Sequence, residues 1–233
     1  LGVALGTILL PSLSKHHADQ SPEQYSKLLD WGLRLTVVLT LPAAAALAIL
    51  SVPLIATLFK SGAFTANDVL MTRQALVAYS IGLTGIILVK ILAPGFYARQ
   101  NVKTPVKIAV ITLVATQLMN LAFVAPLKHA GLALSIGLAA SLNAGLLYYQ
   151  LRRQRIYQPQ AGWAVFTLKV SFALYVMAVG LWWSMGSEAS WLSGNLLSRA
   201  VRLAGITTLG AGTYFGVLWL LGFRLKEFSR RAG

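Results

Sequence analysis

Lys90 has the side chain with the clearest capacity for polar chemistry, because it lies within a long apolar stretch. It precedes Arg99 by nine residues, which on a helix places it about 13 Å deeper along the axis. An ammonium at that depth either snorkels back to the membrane surface or faces an aqueous cavity. Lys169, six residues after Trp163, lies closer to an interface and fits snorkelling. Gln117 and Asn120 share one helical face through their i, i+3 spacing, and Asn143 falls in the middle of the next apolar segment. Amide side chains in such positions bond between helices or line a cavity. Lys90, Gln117 and Asn120 are therefore the candidates for cavity or gating roles. Pro42, Pro94 and Gly95 are the candidates for hinge or helix-ending points, since proline removes a helical hydrogen bond and glycine relaxes the backbone.

Other chemistry finds little support. The six acids, Asp19, Glu23, Asp30, Asp68, Glu188 and Glu227, fall in predicted loops or at span ends, so no buried carboxylate relay is expected. His16, His17 and Asp19 form a short cluster without a second ligand group at metal-binding spacing. No serine has a His and Asp arrangement suited to nucleophilic attack, and no glycine-rich phosphate loop follows a strand. The absence of cysteine excludes disulfides and thiolate chemistry. No catalytic residue, metal site or cofactor is predicted.

The elements that must position these residues are set by composition. Of the 233 residues 57% are hydrophobic and 11% charged, with a mean hydropathy of +0.69. A soluble domain of this length cannot solvate so apolar a surface. A helix needs about 20 apolar residues to cross about 30 Å of hydrocarbon. Spans are predicted at Leu33–Phe59, Ala75–Phe96, Val106–Pro126, Ala130–Leu151, Trp163–Met185 and Val201–Leu221. The expected fold is an all-α transmembrane bundle of about six full spans plus one partial span. The chain opens on Leu1 without a basic n-region, so no signal peptide is expected. The short run Leu1–Leu13 reads as the second half of a cut helix. A kink is predicted in the first full span from Pro42 and Pro53.

The net charge of +14 invites a nucleic-acid reading, but its distribution does not. Taking alternate connections as one side, Lys15, Lys27, Arg34, Arg99, Lys103, Lys107, Arg152, Arg153, Arg155, Arg224, Lys226, Arg230 and Arg231 share a side. These are 13 of the 20 basic residues. Lys60, Arg73, Lys128, Arg199 and Arg202 lie opposite. This positive-inside pattern places the C-terminal tail in the cytoplasm, whereas a nucleic-acid surface would gather cations on one face among aromatics. Trp163 and the group Trp182, Trp183 and Trp191 suit aromatic belts at the two interfaces. Small residues at Gly2 and Gly6, at Gly137, Ser141 and Gly145, and at Gly212 and Gly216 predict close helix packing within the bundle.

The stretch KILAPGFYARQNVKTPVK (Lys90–Lys107) resembles the MurJ/MviN family of lipid II flippases, within the multidrug/oligosaccharidyl-lipid/polysaccharide exporter superfamily. LGVALGTILLPSLSK (Leu1–Lys15), TQLMNLAF (Thr116–Phe123) and PLKHAGLALSIGLAASLNA (Pro126–Ala144) carry the same resemblance. It implies a larger protein with fourteen spans and two lobes around a central cavity. Residues 1–151 would supply the second-lobe helices, the first one truncated, and 152–233 the C-terminal helix pair and cytoplasmic tail, which shape a groove for a polyprenyl chain. The implied function is movement of an undecaprenyl-diphosphate-linked peptidoglycan precursor between leaflets of the bacterial inner membrane by alternating access. The implied partners are lipid II, membrane lipids and the N-terminal half of the same protein, with no nucleic acid. The family's best-known cavity arginines correspond to sequence preceding Leu1. Two alternatives stay open: an exporter of another polyprenyl-linked glycan or of drugs, and a membrane-embedded transferase.

Overall fold

A computed structural model describes residues 2–60 and 62–223, and ten helices account for most of these. In order they are α1 (Gly2–Ala18), α2 (Pro22–Ile49), α3 (Ser51–Phe59), α4 (Ala66–Leu92), α5 (Pro94–Tyr97), α6 (Lys103–Leu127), α7 (His129–Arg153), α8 (Trp163–Met185), α9 (Ala189–Leu192) and α10 (Leu196–Leu220). No strand occurs among the described residues. Six helical segments are long and apolar enough to cross a membrane. Lipid offers no hydrogen bonds to an exposed backbone, and closing every amide within its own helix removes that cost.

Successive spans run antiparallel, so the turns gather at two ends. One end, here the basic end, holds the turns after α1, α5 and α7 and the close of α10. The opposite end holds those after α3, α6 and α8. The predicted span Trp163–Met185 coincides with α8, and the other predictions are off by up to eleven residues. The largest difference is α2, which starts at Pro22 rather than Leu33 and carries Glu23, Lys27, Asp30 and Arg34 inside the helix. Its polar residues at 26, 30 and 34 fall on one face, which hid the helix from a hydropathy reading. The basic tail residues Arg224, Lys226, Arg230 and Arg231, and Glu227, lie outside the described residues.

Proline placement explains the breaks. The α2 helix continues through Pro42 and stops at Leu50, three residues before Pro53. Pro42 cannot donate to the carbonyl of Val38, and the hydroxyl of Tyr214 on α10 donates to that carbonyl instead, at 2.9 Å. The interruption at Ala93 falls immediately before Pro94, after which one more helical turn, α5, extends the rod.

The core divides into two apolar clusters. At the basic end Leu9, Leu13, Leu29, Ile91, Phe96, Leu147 and Leu151 from α1, α2, α4, α5 and α7 pack together with Tyr157. Towards the opposite end Val38, Leu50, Ile55 and Val69 meet Val170, Met177, Leu181, Trp191, Ile206 and Tyr214 of α8 to α10.

Between the clusters, α4 and α7 touch backbone to backbone. A Cβ on Gly137 would stand 2.9 Å from the Cα of Gly82, and one on Gly85 would stand 2.7 Å from the Cα of Ser141. Helices gain little from the hydrophobic effect within lipid, so such van der Waals contact is a main source of association. The predicted packing role therefore holds for Gly137 and Ser141, and for Gly2 and Gly6, which abut Ile87 and Lys90. It fails for Gly145, Gly212 and Gly216, which have no neighbour within 4 Å at that position. On α10 it is Gly210, against Leu181, that makes the close approach.

Candidate functional site

A cavity of about 640 Å³ lies in the membrane-spanning region between α2, α4, α7 and the start of α8. Leu33 and Val37 form one wall, Ile81 and Leu88 a second, and Tyr148 and Trp163 close the basic end. The glycine contact between α4 and α7 makes its floor, because Gly85 and Ser141 lie there without bulk. Such a surface offers shape and dispersion contacts to an apolar chain, and no charged side chain or histidine lines it.

A carboxylate buried beside this groove holds its outer wall in place. Asp30, expected in a loop, is 2% exposed and sits inside α2. Its Oδ1 accepts from the Tyr157 hydroxyl at 2.7 Å, the Gln160 amide at 3.1 Å and the Trp163 indole at 2.7 Å. Its Oδ2 pairs with Arg34 Nε at 2.8 Å. One turn earlier, the Ser26 hydroxyl donates to the Gln158 carbonyl and accepts from the Gln158 amide. Arg34 also donates to the carbonyls of Gln160 and Ala161, and its guanidinium lies 5.2 Å from the Trp163 ring centroid.

Residues 26, 30 and 34 thus form one helical stripe that grips the linker 154–162. Burial, and then the hydrogen bond to Asp30, push the Tyr157 phenol well above its ordinary value, so it stays a neutral donor. Three hydrogen-bond donors and the Arg34 ion pair hold Asp30, which suits anchoring rather than proton relay. Trp163, expected in an aromatic belt, belongs to this hub. Serine, aspartate and arginine at i, i+4, i+8 before an apolar run were the available signal in the sequence.

The opposite end carries a second set of polar ties. Arg73 pairs with Glu188 at 2.8 Å. Arg199, buried, donates to the Ala56 carbonyl at 2.6 Å, and the Lys60 ammonium donates to the Leu192 carbonyl. Arg202 donates to the Met185 carbonyl at 2.7 Å and stacks on Trp191, 4.3 Å from its centroid. Trp191 was grouped with the interfacial tryptophans, yet it is fully buried and donates to Met185 itself. Trp182 and Trp183 do face outward.

The sequence candidates do not converge on one point. Lys90 projects from α4 near the basic end, its stem against Gly2, and its side chain is exposed. Gln117 is exposed on α6, which packs mainly on α7. Asn120 Oδ1 is enclosed without a hydrogen-bond partner, while Asn143 bonds Thr112 between α7 and α6 at 3.3 Å. Lys169 donates to the Leu221 carbonyl at 2.6 Å, capping the end of α10 rather than reaching for water. Gly95 is buried, and its carbonyl accepts from the Tyr25 hydroxyl at 2.7 Å.

Comparison with known proteins places this arrangement. The family described as lipid II flippase MurJ matches residues 1–202. The lipid II flippase MurJ of Burkholderia cenocepacia is 52% identical over 234 residues, covering 100% of this chain and 45% of the relative. The probable lipid II flippase MurJ of Vibrio cholerae is 38% identical over 228 residues, covering 98% of this chain and 43% of the relative. A solved structure titled lipid II flippase MurJ, inward closed conformation, superposes with a TM-score of 0.70 at 22% identity. It covers 93% of this chain and 44% of that one, and supports the all-helical lobe architecture. The chain spans a little under half the length of the relatives it matches. With six membrane-crossing segments and a family match over most of its length, the chain is a multi-pass membrane protein belonging to the lipid II flippase MurJ family.

Proposed function

We propose that this chain is the second-lobe and C-terminal part of a transporter, not an enzyme, that moves lipid II between the leaflets of the bacterial inner membrane. The observation that carries the reading is 52% identity, over the whole of this chain, with a relative named for that activity. The polar diphosphate-linked headgroup cannot cross hydrocarbon unaided, whereas a hydrated cavity between two lobes can hold it while the tail remains in lipid. The N-terminal half would supply the other wall. The apolar groove beside α2, α4 and α7 suits a polyprenyl chain. Residues 1–151 act as the lobe and 152–233 as an accessory pair fastened to it by the Asp30 hub.

The positive-inside distribution favours the basic end, and with it the C-terminal tail, facing the cytoplasm. Lys90, exposed and unpaired among the described residues, is the candidate cation towards the cavity. Gln117 and Asn120 are candidates for its gating, supported by the enclosed, unpartnered Asn120 oxygen. Pro42, Pro94 and Gly95 are candidate hinges. Two of the carbonyls there, Val38 and Gly95, are braced by tyrosine hydroxyls from neighbouring helices.

The test uses the full-length gene in cells whose own lipid II flippase can be depleted, measuring lipid II accessible at the outer leaflet and growth. Restored accessibility and growth are expected. Normal insertion with lipid II retained inside would refute the substrate assignment and favour an exporter of another polyprenyl-linked glycan.

A further inference from the structure

Helices α1, α5 and α7 all stop at the basic end in one way. The amide of Ser21 returns to the His16 carbonyl at 3.0 Å, that of Asn101 to Phe96 at 3.1 Å, and that of Ile156 to Leu151 at 2.9 Å. These are the long bonds of Schellman caps, which place a left-handed residue one position earlier. That residue is Gln20, Gln100 and Arg155, with φ of 52°, 58° and 54°. Glycine suits the position best, and α10 ends with one, Gly222 at φ 77°. At three other ends a disfavoured side chain is kept.

Two of those side chains, Gln20 and Arg155, line a hollow of about 310 Å³ between the turns. His16, His17, Arg99 and Tyr25 line it as well, and no acidic side chain does. Glu23, close by on α2, is committed to Lys27 at 2.6 Å. Neither Arg99 nor Arg155 has an ion-pair partner among the described residues. Tyr25 gives its hydroxyl to Gly95, so it offers its ring, against which His17 packs edge-on at 6.5 Å. The first turn of α2, a helix of 28 residues, borders the hollow at Ser21 and Pro22, and the Ser21 side chain does not cap it. Its free amides add positive potential to that of the side chains.

We propose that this hollow binds a phosphate group, gripped by Arg99 and Arg155 and flanked by His16 and His17. A guanidinium presents two parallel donors that match phosphate oxygens, and the two arginines approach from different turns. A ligand held between them would tie the ends of α1, α5 and α7 together. That role accounts for an arginine at a position where glycine would cost less. The phosphate belongs either to an anionic phospholipid headgroup at the membrane surface or to a free anion in the aqueous phase. The site is separate from the apolar groove and does not depend on which substrate is transported.

Native mass spectrometry of the purified full-length protein tests this, by titrating phosphatidylglycerol against a phosphatidylcholine background. The double variant Arg99→Gln, Arg155→Asn removes both charges while asparagine tolerates the left-handed backbone. Each cation near a membrane surface contributes about fivefold, so binding is expected to weaken about thirtyfold. Lys103→Gln with Lys107→Gln removes the same charge at the same end and is expected to leave the occupied site unchanged. Arg155→Lys, which keeps the charge but loses the paired donors, should weaken binding less than the double variant but measurably. Displacement of the bound lipid by millimolar inorganic phosphate would support the site with a free anion as its ligand. Persistence of the lipid would support the headgroup. Undiminished binding in the arginine variant, or equal weakening in the lysine control, would overturn the proposal, the latter by showing diffuse attraction.

Discussion

Replacing Asp30 with asparagine tests whether the buried hub fastens the C-terminal helices to the lobe. The substitution keeps shape and one oxygen, so the three donors on Oδ1 can still be accepted. The new amide group, however, faces Arg34 Nε, which stood 2.8 Å from Oδ2. Two donors then oppose each other, and a guanidinium loses its counter-charge. Breaking a fully buried pair costs about 3–5 kcal/mol. Arg34 is partly exposed and keeps the carbonyls of Gln160 and Ala161, so about 2–3 kcal/mol is the better figure. The Gln160 amide reports directly, because it bonds Asp30. Its hydrogen exchange in the full-length protein should accelerate about 30-fold to 160-fold, while amides across the α4–α7 contact stay protected. Adding Arg34→Met to Asp30→Asn should recover part of the loss, because no unpaired cation is left behind. Unchanged exchange at Gln160, or a double variant as damaged as the sum of the singles, would refute the hub as an interdependent charge network.

Tyr214→Phe leaves the Val38 carbonyl, already denied a partner by Pro42, unpaired in an apolar core. It should lower the stability of the α8–α10 packing by about 1–3 kcal/mol, read from thermal unfolding of the full-length protein in detergent. Gly82→Leu forces α4 and α7 apart and should cost at least about 3 kcal/mol, whereas Gly212→Leu, with nothing within 4 Å, should cost under about 0.5 kcal/mol by the same measurement. Lys90→Met should leave insertion and protein level intact and reduce outer-leaflet lipid II; undiminished transport would remove Lys90 from the cavity.

Most of the helical framework was legible because hydrocarbon thickness and backbone desolvation leave few options for so apolar a chain. Trp163–Met185 could be placed to the residue, since linker and loop glycines flank it on both sides. The start of α2 was not legible. Hydropathy counts Asp30 and Arg34 as a break, whereas the fold hides both against residues more than 120 positions later. Partners that distant leave no local signal. The same limit explains Trp191, whose burial depends on Arg202 and the return of α10, and Lys169, whose partner is the last turn of α10. Small-residue spacing marked Gly137 and Ser141 of α7 as a packing face correctly, but it did not name α4, with Gly82 and Gly85, as the partner. It misled on α10, where Gly212 and Gly216 face outward and Gly210 packs, because spacing does not say which face meets a neighbour.

The distribution of contacts bears on how such a lobe could move. In the middle of the membrane, α4 and α7 are held by backbone contact at Gly82, Gly85, Gly137 and Ser141, which admits almost no sliding without a clash. Near the surfaces, α8 to α10 are tied to α2–α4 by charged and polar groups at both ends: Asp30 with Tyr157, Gln160 and Trp163 at one, and Arg73, Arg199 and Lys60 at the other. Two distant points of attachment oppose rotation as well as separation. If transport proceeds by rocking one lobe against another, the accessory helices and the apolar groove beside α2 must travel with this lobe as one body. The groove would then keep its shape in every state. A flexible accessory pair would instead let the groove open and close independently of the cavity. Under that proposal, the rigid arrangement would couple the position of an apolar chain in the groove to the side on which the cavity is open.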